Sequence, residues 1–514
     1  MRRHAMFVFF LFFLVISFGT AAGEQKIISI LHVNDFHGFA EPYKPFGSEE
    51  LLGGIASLAS EVEKIRARRP VLLVSAGDMI QGHNWANLFL GESVIELMNE
   101  MQFDAMALGN HEFDFGTDVL RKRISEAHFP VLGANVAGLD LIKPYIVKEI
   151  QGVRIAFVGV VTEDVPVTTH PRNVTGLSFL PVAATVEKYL ELLKGKADIV
   201  VVLSHIGHAV DRDLAAKVNG ITAIIGGHSH TKVLKPVVIN NTVIVQAWEH
   251  GKALGQLDLY IEDRKVVGAE SRLIEIRPTR DIPDTAVSRL VGKYSERVNS
   301  LLDEQVGQAL TDLDGENVRS RETNLGDLVA DIMRQAAQAD AAIIGGGSIR
   351  TSIKKGDIRI KHIYAVSPFN NYIVAVRLTG RQVREALEHG LSAIDEGAGR
   401  FPQVSGLSFS FNRSATAGSR IRELMIAGLP AEPDREYTVA TDDFLASGGD
   451  GYKIFGEAVR ASKDFAIVGG TLKGERLVYS NAGRWVRDVI TDHIRAVKMI
   501  APTVEGRIRE VEER

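Results

Sequence analysis

Five short polar clusters carry the chemistry that this sequence suggests. In chain order they are Asn34-Asp35-Phe36-His37, Gly77-Asp78, Gly109-Asn110-His111-Glu112, Ser204-His205 and Gly226-Gly227-His228-Ser229-His230. Carboxylate and amide oxygens and imidazole nitrogens bind divalent metals, and glycines allow the backbone to approach a ligand closely. One histidine at a strand end is more often a hydrogen-bonded structural residue, but five such clusters together predict a metal site.

Seven side chains in these clusters are candidate ligands, which is more than a single tetrahedral ion requires. They are Asp35, His37, Asp78, Asn110, His205, His228 and His230. Two ions that share one carboxylate suit this number, and Asp78 is the natural bridge because it is the lone carboxylate in its cluster. Ions about 3.5–4 Å apart can hold hydroxide and neutralise the oxygens of a displacement at phosphorus.

The clusters follow predicted β-strands, and ligands of an open α/β sheet bind where the loops converge at the strands' carboxyl ends. From residue 25 to 275, short β-branched runs alternate with amphipathic stretches, which predicts an α/β domain with a mixed sheet and helices on both faces. Predicted strands lie at 27–33, 71–75, 105–108, 131–134, 153–161, 199–204 and 223–225, and predicted helices at 54–69, 92–101, 117–128, 181–194 and 211–218. Residues 145–162 are typical of a hairpin.

A change of pattern near residue 278 divides the chain into two domains. Pro278 and Pro283 precede a charged helical run at 284–305, which predicts a connecting helix. We therefore expect a catalytic domain at 24–278, a linker helix at 279–310 and a smaller α/β (α+β) domain at 311–514. Predicted elements of the last are strands at 341–344, 373–378 and 437–441 and helices at 325–339, 380–391 and 484–499.

The first residues predict export. Arg2 and Arg3 precede an apolar run at 6–18 and then small residues at 19–23, the order of a secretory signal. We expect cleavage after residue 21 or 22, with the signal at 1–22 and a secreted or periplasmic product. An uncleaved anchor is less favoured because this run of 13 residues falls short of the roughly 20 that span a bilayer.

Composition excludes several classes of function. The 514 residues contain no cysteine, so disulfides, thiolate nucleophiles and Cys-ligated metals are excluded. The formal net charge is −5 and there is no basic tract, which argues against long nucleic acid as a partner. The sequence does not predict an oligomeric state.

The clusters resemble the motifs of calcineurin-like metallophosphoesterases. Two segments of the second domain, Arg319-Ser320-Arg321-Glu322-Thr323-Asn324-Leu325-Gly326 and Gly345-Gly346-Gly347-Ser348-Ile349-Arg350, narrow the resemblance to the exported 5′-nucleotidase family, which includes UDP-sugar hydrolases and 2′,3′-cyclic-nucleotide phosphodiesterases. This resemblance implies a metal-dependent hydrolase of small nucleotide phosphate esters. It assigns one ion to Asp35, His37, Asp78 and His230, and the other to Asp78, Asn110, His205 and His228.

The resemblance also implies catalytic and substrate-binding residues. His111 would donate to the phosphoryl oxygens or leaving group, and Asp114 would orient its ring; the alternative is that His111 is a ligand and Asp114 a helix N-cap. Arg319 and Arg350 would contact substrate. The segments Ser367-Pro368-Phe369-Asn370-Asn371 and Gly448-Gly449-Asp450-Gly451-Tyr452 resemble those that sandwich a nucleobase, with Phe369 and Tyr452 as the rings.

One departure from the family pattern bears on the substrate. Many members carry Asn where this chain has Gly345, so a side-chain hydrogen bond to substrate is lost there. This weakens the inference that the substrate is a simple nucleoside 5′-monophosphate. The alternatives to a 5′-nucleotidase are a 2′,3′-cyclic phosphodiesterase/3′-nucleotidase, the family's thiosulfate-cleaving branch, and a non-catalytic metal-bound nucleotide-binding protein. The expected cofactors are two divalent ions, with Zn, Mn, Co and Fe all compatible with the donors.

Overall fold

The structure is a computed structural model that describes residues 25–46, 48–278, 285–468 and 471–511. The predicted signal peptide and Pro283 lie outside these residues. Within them, no helix has both the length and the apolar character needed to cross a bilayer.

The N-terminal domain alternates strands and helices, as predicted. Its strands are β1 (Lys26–Val33), β2 (Val71–Ser75), β3 (Ala105–Ala107), β4 (Val131–Leu132), β5 (Val136–Ala137), β6 (Tyr145–Ile150), β7 (Val153–Val161), β8 (Ser178–Phe179), β9 (Ile199–His205), β10 (Ala223–Gly226), β11 (Val237–Ile239), β12 (Thr242–Gln246), β13 (Ala253–Glu262) and β14 (Lys265–Glu275). Its helices are α1 (Ile55–Arg66), α2 (Asn84–Asn87), α3 (Glu92–Glu100), α4 (Thr117–Glu126), α5 (Val165–Thr168), α6 (Val182–Leu193), α7 (His208–Lys217) and α8 (Ala286–Leu302).

All of these strands except β5 and β8, which pair with each other, form two mixed sheets that face each other. The described part of the domain has one six-stranded sheet of order β14-β13-β1-β2-β3-β4 and another of order β11-β12-β10-β9-β7-β6. Buried aliphatic residues of both sheets, such as Ile30, Val74 and Val201, form one core cluster between them. Helices cover the outer face of each sheet. The α/β class and the hairpin of β6 with β7 are confirmed, whereas the sequence pattern had indicated one sheet rather than two.

The C-terminal domain follows α8. Its strands are β15 (Gln305–Ala309), β16 (Ala341–Gly345), β17 (Gly356–Arg359), β18 (Tyr372–Thr379), β19 (Pro402–Ser405), β20 (Leu407–Phe411), β21 (Ile421–Ile426), β22 (Leu429–Pro430), β23 (Glu436–Asp442), β24 (Ala466–Val468), β25 (Thr471–Lys473), β26 (Leu477–Trp485), β27 (Met499–Ile500) and β28 (Ile508–Glu510). Its helices are α9 (Asn324–Ala337), α10 (Ile360–Val366), α11 (Gly380–Leu391), α12 (Asp443–Ala446), α13 (Lys453–Arg460) and α14 (Val486–Val497).

A mixed five-stranded sheet of order β19-β16-β23-β18-β26 organises this domain. Core residues of α9 and α14 pack on one side of it, and those of α11 and α13 on the other. Side chains of β18 contribute to both core clusters, because successive side chains of a strand point to opposite faces.

Helix α8 connects the two domains. Thr285 caps its first turn in a capping box with Ser288. The buried ring of Tyr294 packs edge-on against Trp85 and Phe89, with centroids 5.2 Å and 4.7 Å away, so the helix is anchored to the N-terminal domain. The structure ends the helix earlier than the predicted linker and places residues 305–309 in a sheet with β17 and β27.

Candidate active site

The five clusters lie at the carboxyl ends of β1, β2, β3, β9 and β10. Ser204 and His205 are the last residues of β9, and the other candidate ligands are on the loops that follow the strands. Parallel pairing of β1 with β2, of β2 with β3, and of β9 with β10 brings these ends together. Five of the predicted ligands have a left-handed backbone, which costs energy in residues other than glycine and concentrates at functional sites. They are Asp35, His37, Asp78, His228 and His230.

Two features allow the loops to approach so closely. A Cβ at Gly109 would lie 2.2 Å from Asp78 Oδ1, so only glycine fits there. The buried carboxylate of Glu112 accepts hydrogen bonds from the backbone N–H groups of Gly109 (2.6 Å), Asp78 (2.8 Å) and Met79 (2.7 Å). Glu112 therefore ties the β2 and β3 loops together, a role that the sequence analysis did not assign.

The first group of candidate ligands consists of Asp35, His37 and His230, whose ligand atoms lie within 4.8 Å of one another. His230 Nε2 is 3.5 Å from Asp35 Oδ1 and 3.2 Å from His37 Nε2. His37 Nδ1 lies 2.8 Å from the carbonyl oxygen of Gln81. Because a protonated Nδ1 would donate to this oxygen, Nε2 is left to face the group.

The second group consists of Asp78, His205 and His228. Asp78 Oδ2 is 3.0 Å from His205 Nε2 and 3.8 Å from His37 Nε2, so this carboxylate lies between the two groups. Burial opposes charge on His205, but Asp78 outweighs it and raises the pKa of His205 to about 10. Burial likewise opposes charge on Asp78, whose pKa is nevertheless held well below its usual range by His205 and His111. The carboxylate thus attracts positive charge to this point.

The residues present fit a cation site. Asn110 Oδ1 is buried and has no hydrogen-bond partner within the described structure, while its Nδ2 faces the carbonyl oxygen of Thr168. An amide oxygen in this position is chemically suited to a divalent ion. Burial, together with the nearby His205, lowers the pKa of His228 to about 3, which keeps its imidazole neutral and able to coordinate.

His111 and Asp114 form a close pair beside these groups. His111 Nδ1 is 2.6 Å from Asp114 Oδ2, and its backbone N–H donates to Asp78 Oδ1 at 2.9 Å. Asp114 is itself fixed, since Thr169 Oγ1 donates to its Oδ1 and Asn173 Nδ2 to its carbonyl oxygen. Burial opposes charge on His111, but the carboxylates of Asp114 and Asp78 raise its pKa. Asp114 contacts an imidazole nitrogen, whereas an N-cap side chain would accept from a backbone N–H of the first helical turn.

A cavity of about 1420 Å³ lies between the two domains and is lined by His111, Asp114, His228 and His230. Arg319 and Arg350 line it from the C-terminal domain. Arg350 Nη2 is 3.3 Å from His37 Nε2, and burial together with the charge of Arg319 lowers the pKa of Arg350 to about 10. Two guanidinium groups in mutual repulsion favour an anionic ligand. Arg321, by contrast, is mostly exposed and pairs with Asp314.

The structure places Phe369 in this cavity but not Tyr452. Phe369 stacks 6.0 Å from the His111 ring and lies 5.9 Å from the Arg350 guanidinium. Tyr452 is fully buried, and its hydroxyl donates to the carbonyl oxygen of Arg400 at 2.6 Å. The structure does not bring the predicted stacking ring of Tyr452 into the cavity, because this ring packs in the core against His389 and Phe455.

A ring that does line the cavity near this segment is that of Phe444, four residues before Gly448. It lies in the first turn of α12, eight residues before Tyr452, and is so close to Gly449 that a Cβ there would be 2.4 Å from its ring. Asp450, which also lines the cavity, has a left-handed backbone with φ 50°. Sequence reasoning missed both residues, although Phe444 follows two aspartates at the end of a predicted strand.

Comparisons with known proteins agree with this architecture. Residues 28–232 match the family "Calcineurin-like phosphoesterase" and residues 303–457 match "5'-nucleotidase, C-terminal domain". The chain is 32% identical over 94% of its length to a trifunctional nucleotide phosphoesterase protein, YfkN, of Bacillus subtilis, of which it spans only 35%. It is 30% identical over 96% of its length to a 5′-nucleotidase of Diplobatis ommata and covers 92% of that protein.

Among solved structures, a 5′-nucleotidase precursor from Thermus thermophilus superposes with a TM-score of 0.85 and 30% identity, covering 95% of this chain and all of that one. The same two domains thus occur together in the solved protein. From these matches and from the clustered ligands, we conclude that the chain belongs to the 5′-nucleotidase family of metal-dependent phosphoester hydrolases.

Proposed function

We propose that this protein hydrolyses nucleoside 5′-monophosphates with two divalent ions. The observation that carries this proposal is a convergence of features on a single cavity. Members of both candidate ligand groups, the His111–Asp114 pair, two arginines and two aromatic rings line it. A cavity between two domains is the usual place for such a site.

The seven predicted ligands would hold the ions in two sets that share Asp78. Asp35, His37, Asp78 and His230 would hold one, and Asp78, Asn110, His205 and His228 the other. When bound, such ions supply Lewis acidity that activates water and neutralises phosphoryl oxygens. Zn, Mn, Co and Fe are all compatible with these donors.

The side chains around the ions would then bind and protonate the phosphate ester. Arg319 and Arg350 would bind the phosphoryl oxygens with their guanidinium groups. His111, whose Nδ1 is engaged by Asp114, has Nε2 available to donate to a phosphoryl or leaving-group oxygen. Asp114 fixes the direction of that donation by holding the ring.

The C-terminal domain would bind the nucleoside. Phe369 and Phe444 line the cavity and offer faces for stacking a planar base. The Asp450 carboxylate can accept hydrogen bonds from ribose hydroxyls. A Cβ at Gly345 would lie 3.1 Å from the Gly399 carbonyl oxygen and 3.5 Å from Asp450 Oδ2. A side chain here would therefore crowd both groups, and this is the position where the substrate range of this chain would differ from that of relatives that carry Asn.

The decisive experiment measures phosphate release after reconstitution with Mn²⁺, Co²⁺ or Zn²⁺. The substrates are 5′-AMP, 3′-AMP, 2′,3′-cyclic AMP and UDP-glucose, and Asp78→Asn serves as the inactive control. We expect the highest kcat/KM for 5′-AMP. Nucleotide binding without phosphate release from any substrate would instead favour a non-catalytic nucleotide-binding protein.

A second candidate is a broader nucleotide phosphoesterase. The relative YfkN is described as a trifunctional nucleotide phosphoesterase, and the cavity volume of about 1420 Å³ leaves room for more than a mononucleotide. Comparable kcat/KM values for 5′-AMP and for 2′,3′-cyclic AMP, 3′-AMP or UDP-glucose would support this candidate over a strict 5′-nucleotidase.

We also propose that the protein is exported. Support comes from the charged, apolar and small-residue order of residues 2–23. N-terminal sequencing of the protein from the periplasm or medium is expected to give a chain that starts near residue 22 or 23. A full-length N-terminus retained in the cytosol would contradict export.

A further inference from the structure

The three candidate ligand histidines with a hydrogen-bonded Nδ1 do not have equivalent partners. His37 Nδ1 lies 2.8 Å from the carbonyl oxygen of Gln81, and His205 Nδ1 lies 2.7 Å from that of Ala76. His230 Nδ1 instead contacts a carboxylate oxygen of Glu249. Since a carboxylate carries a full negative charge, it polarises an imidazole more strongly than a main-chain carbonyl does.

Glu249 is held in place from several directions. Its other carboxylate oxygen is 2.5 Å from Lys252 Nζ, and the Lys252 side chain is only 3% exposed. Lys252 Nζ lies 4.0 Å from the Trp248 ring centroid, a cation–π contact that fixes the lysine. The Trp248 carbonyl oxygen accepts from Asn34 Nδ2 at 2.6 Å.

The loop that carries Glu249 is also tied directly to the first ligand group. The backbone N–H of His250 donates to the Asp35 carbonyl oxygen at 2.7 Å. The His250 ring stacks on Phe39 at 3.9 Å, and its Nδ1 is 3.0 Å from the Tyr43 hydroxyl. Glu249 is therefore fixed relative to Asp35 and His230 by main-chain and side-chain contacts, unlike a surface carboxylate free to swing away.

We propose that Glu249 is a positioning residue for His230, which selectively strengthens metal binding by the Asp35, His37, Asp78 and His230 set. The inference rests on the proposed two-metal function. A carboxylate on Nδ1 fixes the tautomer and ring direction and makes Nε2 a stronger donor; loss of such a partner lowers metal affinity by about 10–100-fold. Lys252 fixes the second oxygen and so keeps the carboxylate from coordinating an ion itself.

The test measures stepwise Mn²⁺ and Zn²⁺ affinities by calorimetry and bound metal per chain by elemental analysis. Glu249→Gln retains an acceptor for Nδ1–H but removes the charge, whereas Glu249→Ala removes both. Glu275→Gln is the matched control. Glu275 also pairs with a lysine, Lys232, but it contacts none of the predicted ligands. Thermal unfolding of the metal-free proteins checks their folding.

For the wild type and the control we expect two ions per chain. In Glu249→Gln, one of the two affinities is expected to fall by about 10–100-fold and the other to stay within about twofold, with a larger selective loss in Glu249→Ala. Unchanged affinities, or equal losses at both sites accompanied by a lower unfolding temperature, would overturn the proposal.

The metal content separates the remaining readings. A third ion in the wild type that is lost in Glu249→Gln would make Glu249 a ligand together with His230 and His250, which form a further candidate group among the described residues, and would overturn the positioning role. A wild type that binds no metal would refute the proposed function itself, whereas two ions unaffected by Glu249 would refute only this inference.

Discussion

His111 owes its direction to a chain of contacts that begins outside the candidate ligand groups. Asp114 accepts from Thr169 Oγ1 with one oxygen and contacts His111 Nδ1 with the other. Asn173 Nδ2 donates to the Asp114 main chain at 2.8 Å. Because all three contacts converge on one residue, the imidazole has little freedom to rotate, which favours a role in transition-state donation over one as a further ligand.

Asp114→Asn should therefore lower kcat for 5′-AMP by about 10²-fold, because the ring loses both its charge partner and its preferred tautomer. A smaller loss is expected with p-nitrophenyl phosphate, whose leaving group needs less protonation. Steady-state kinetics on both substrates checks this, with bound metal measured alongside. If the loss of kcat is accompanied by a matching loss of bound metal, His111 would be assigned to the ligands.

The two aromatic rings that line the cavity, those of Phe369 and Phe444, give a second prediction. Phe369→Ala and Phe444→Ala should each raise KM for nucleotides, since stacking of a base on an aromatic ring contributes about 1–3 kcal/mol. Neither substitution should raise KM for p-nitrophenyl phosphate by as large a factor.

Tyr452 provides the contrast. Its ring is fully buried, so Tyr452→Ala should destabilise the protein by about 3–5 kcal/mol, as truncation of a core aromatic does. Tyr452→Phe loses only the hydrogen bond to the Arg400 carbonyl oxygen and should keep the wild-type KM. A large KM increase in Tyr452→Phe would restore Tyr452 as a substrate contact.

At the scale of single elements, α14 supports the loop that carries Phe369. Arg487 Nη1 donates to the carbonyl oxygens of Pro368 (3.3 Å) and Phe369 (2.8 Å), and Nη2 donates to Asn370 Oδ1 (2.6 Å). The guanidinium also lies 4.7 Å from the Tyr364 ring centroid on α10. The planar guanidinium of Arg487 thus links α10, α14 and the loop, and a lysine ammonium cannot reproduce this set of contacts.

Arg487→Lys should therefore raise KM for 5′-AMP roughly tenfold, about 1.4 kcal/mol, with a much smaller change for p-nitrophenyl phosphate. Arg484→Lys is the control, since Arg484 is exposed and pairs with Asp492. Equal KM increases for both substrates would indicate a general disturbance of the domain rather than a misplaced base platform.

Strand β1 contains a buried histidine with an unusual environment. His32 lies opposite Gly255 of β13, and its ring is so close that a Cβ at Gly255 would be 2.1 Å from Cε1. Neither ring nitrogen has a hydrogen-bond partner within the described structure. Burial accordingly lowers the pKa of His32 to about 3, so the folded protein keeps this imidazole neutral.

This histidine should make the protein acid-sensitive. The unfolded chain binds a proton at His32 near pH 6.5 but the folded chain only near pH 3, so stability is lost as pH falls through this window. Between about pH 7.5 and pH 5 the loss should be about 2 kcal/mol. His32→Leu should remove this part of the slope in urea unfolding of the metal-free protein; an unchanged slope would assign it to other groups.

The sequence predicted elements better than their assembly. Strands such as β2 and β7 match their predicted bounds because β-branched runs bury both faces of a strand. The division into two sheets depends on pairings such as β1 with β13, whose residues are more than 200 positions apart. The local periodicity of hydrophobic residues does not predict such distant pairings.

The candidate site shows the same limit. The spacing of polar clusters identified the candidate ligands because loops of parallel strands must converge. The sequence analysis named Tyr452 and missed Phe444, because which ring faces the cavity depends on the left-handed backbone of Gly448 and Asp450. Glu249 was missed because it follows a strand without any motif, and only the fold brings it to His230.

For the whole molecule, one short segment contacts both the proposed catalytic residue Asp114 and the second domain. Residues 168–173 of the N-terminal domain hold Asp114 through Thr169 and Asn173. In the same segment, His170 Nε2 lies 3.3 Å from Asp443 Oδ2, and Asp443 is buried in the C-terminal domain next to Phe444. Other contacts across the interface include Asn84 Nδ2 with the Lys361 carbonyl oxygen at 2.6 Å.

Rotation of the domains about the α8 region would break the His170–Asp443 contact and open the cavity, as hinge motions do in enzymes with a site between two bodies. The substrate arginines would then leave the candidate ligands, since Arg350 belongs to the moving domain. His170 should therefore stabilise the domain arrangement that the structure shows, contributing about 0.5–1.5 kcal/mol.

Because the sequence contains no cysteine, dyes can be attached at single introduced cysteines to measure how the two domains are arranged. Single cysteines introduced at exposed Glu187 and Asp434 can carry a donor and an acceptor dye, one in each domain. His170→Ala should shift the energy-transfer distribution toward the open state and raise KM for 5′-AMP several-fold, while His128→Ala, at an exposed position in the N-terminal domain, should change neither. If His170→Ala raises KM without altering the distribution, His170 acts only through its neighbours Thr169 and Asp114, and the interdomain contact does not control closure.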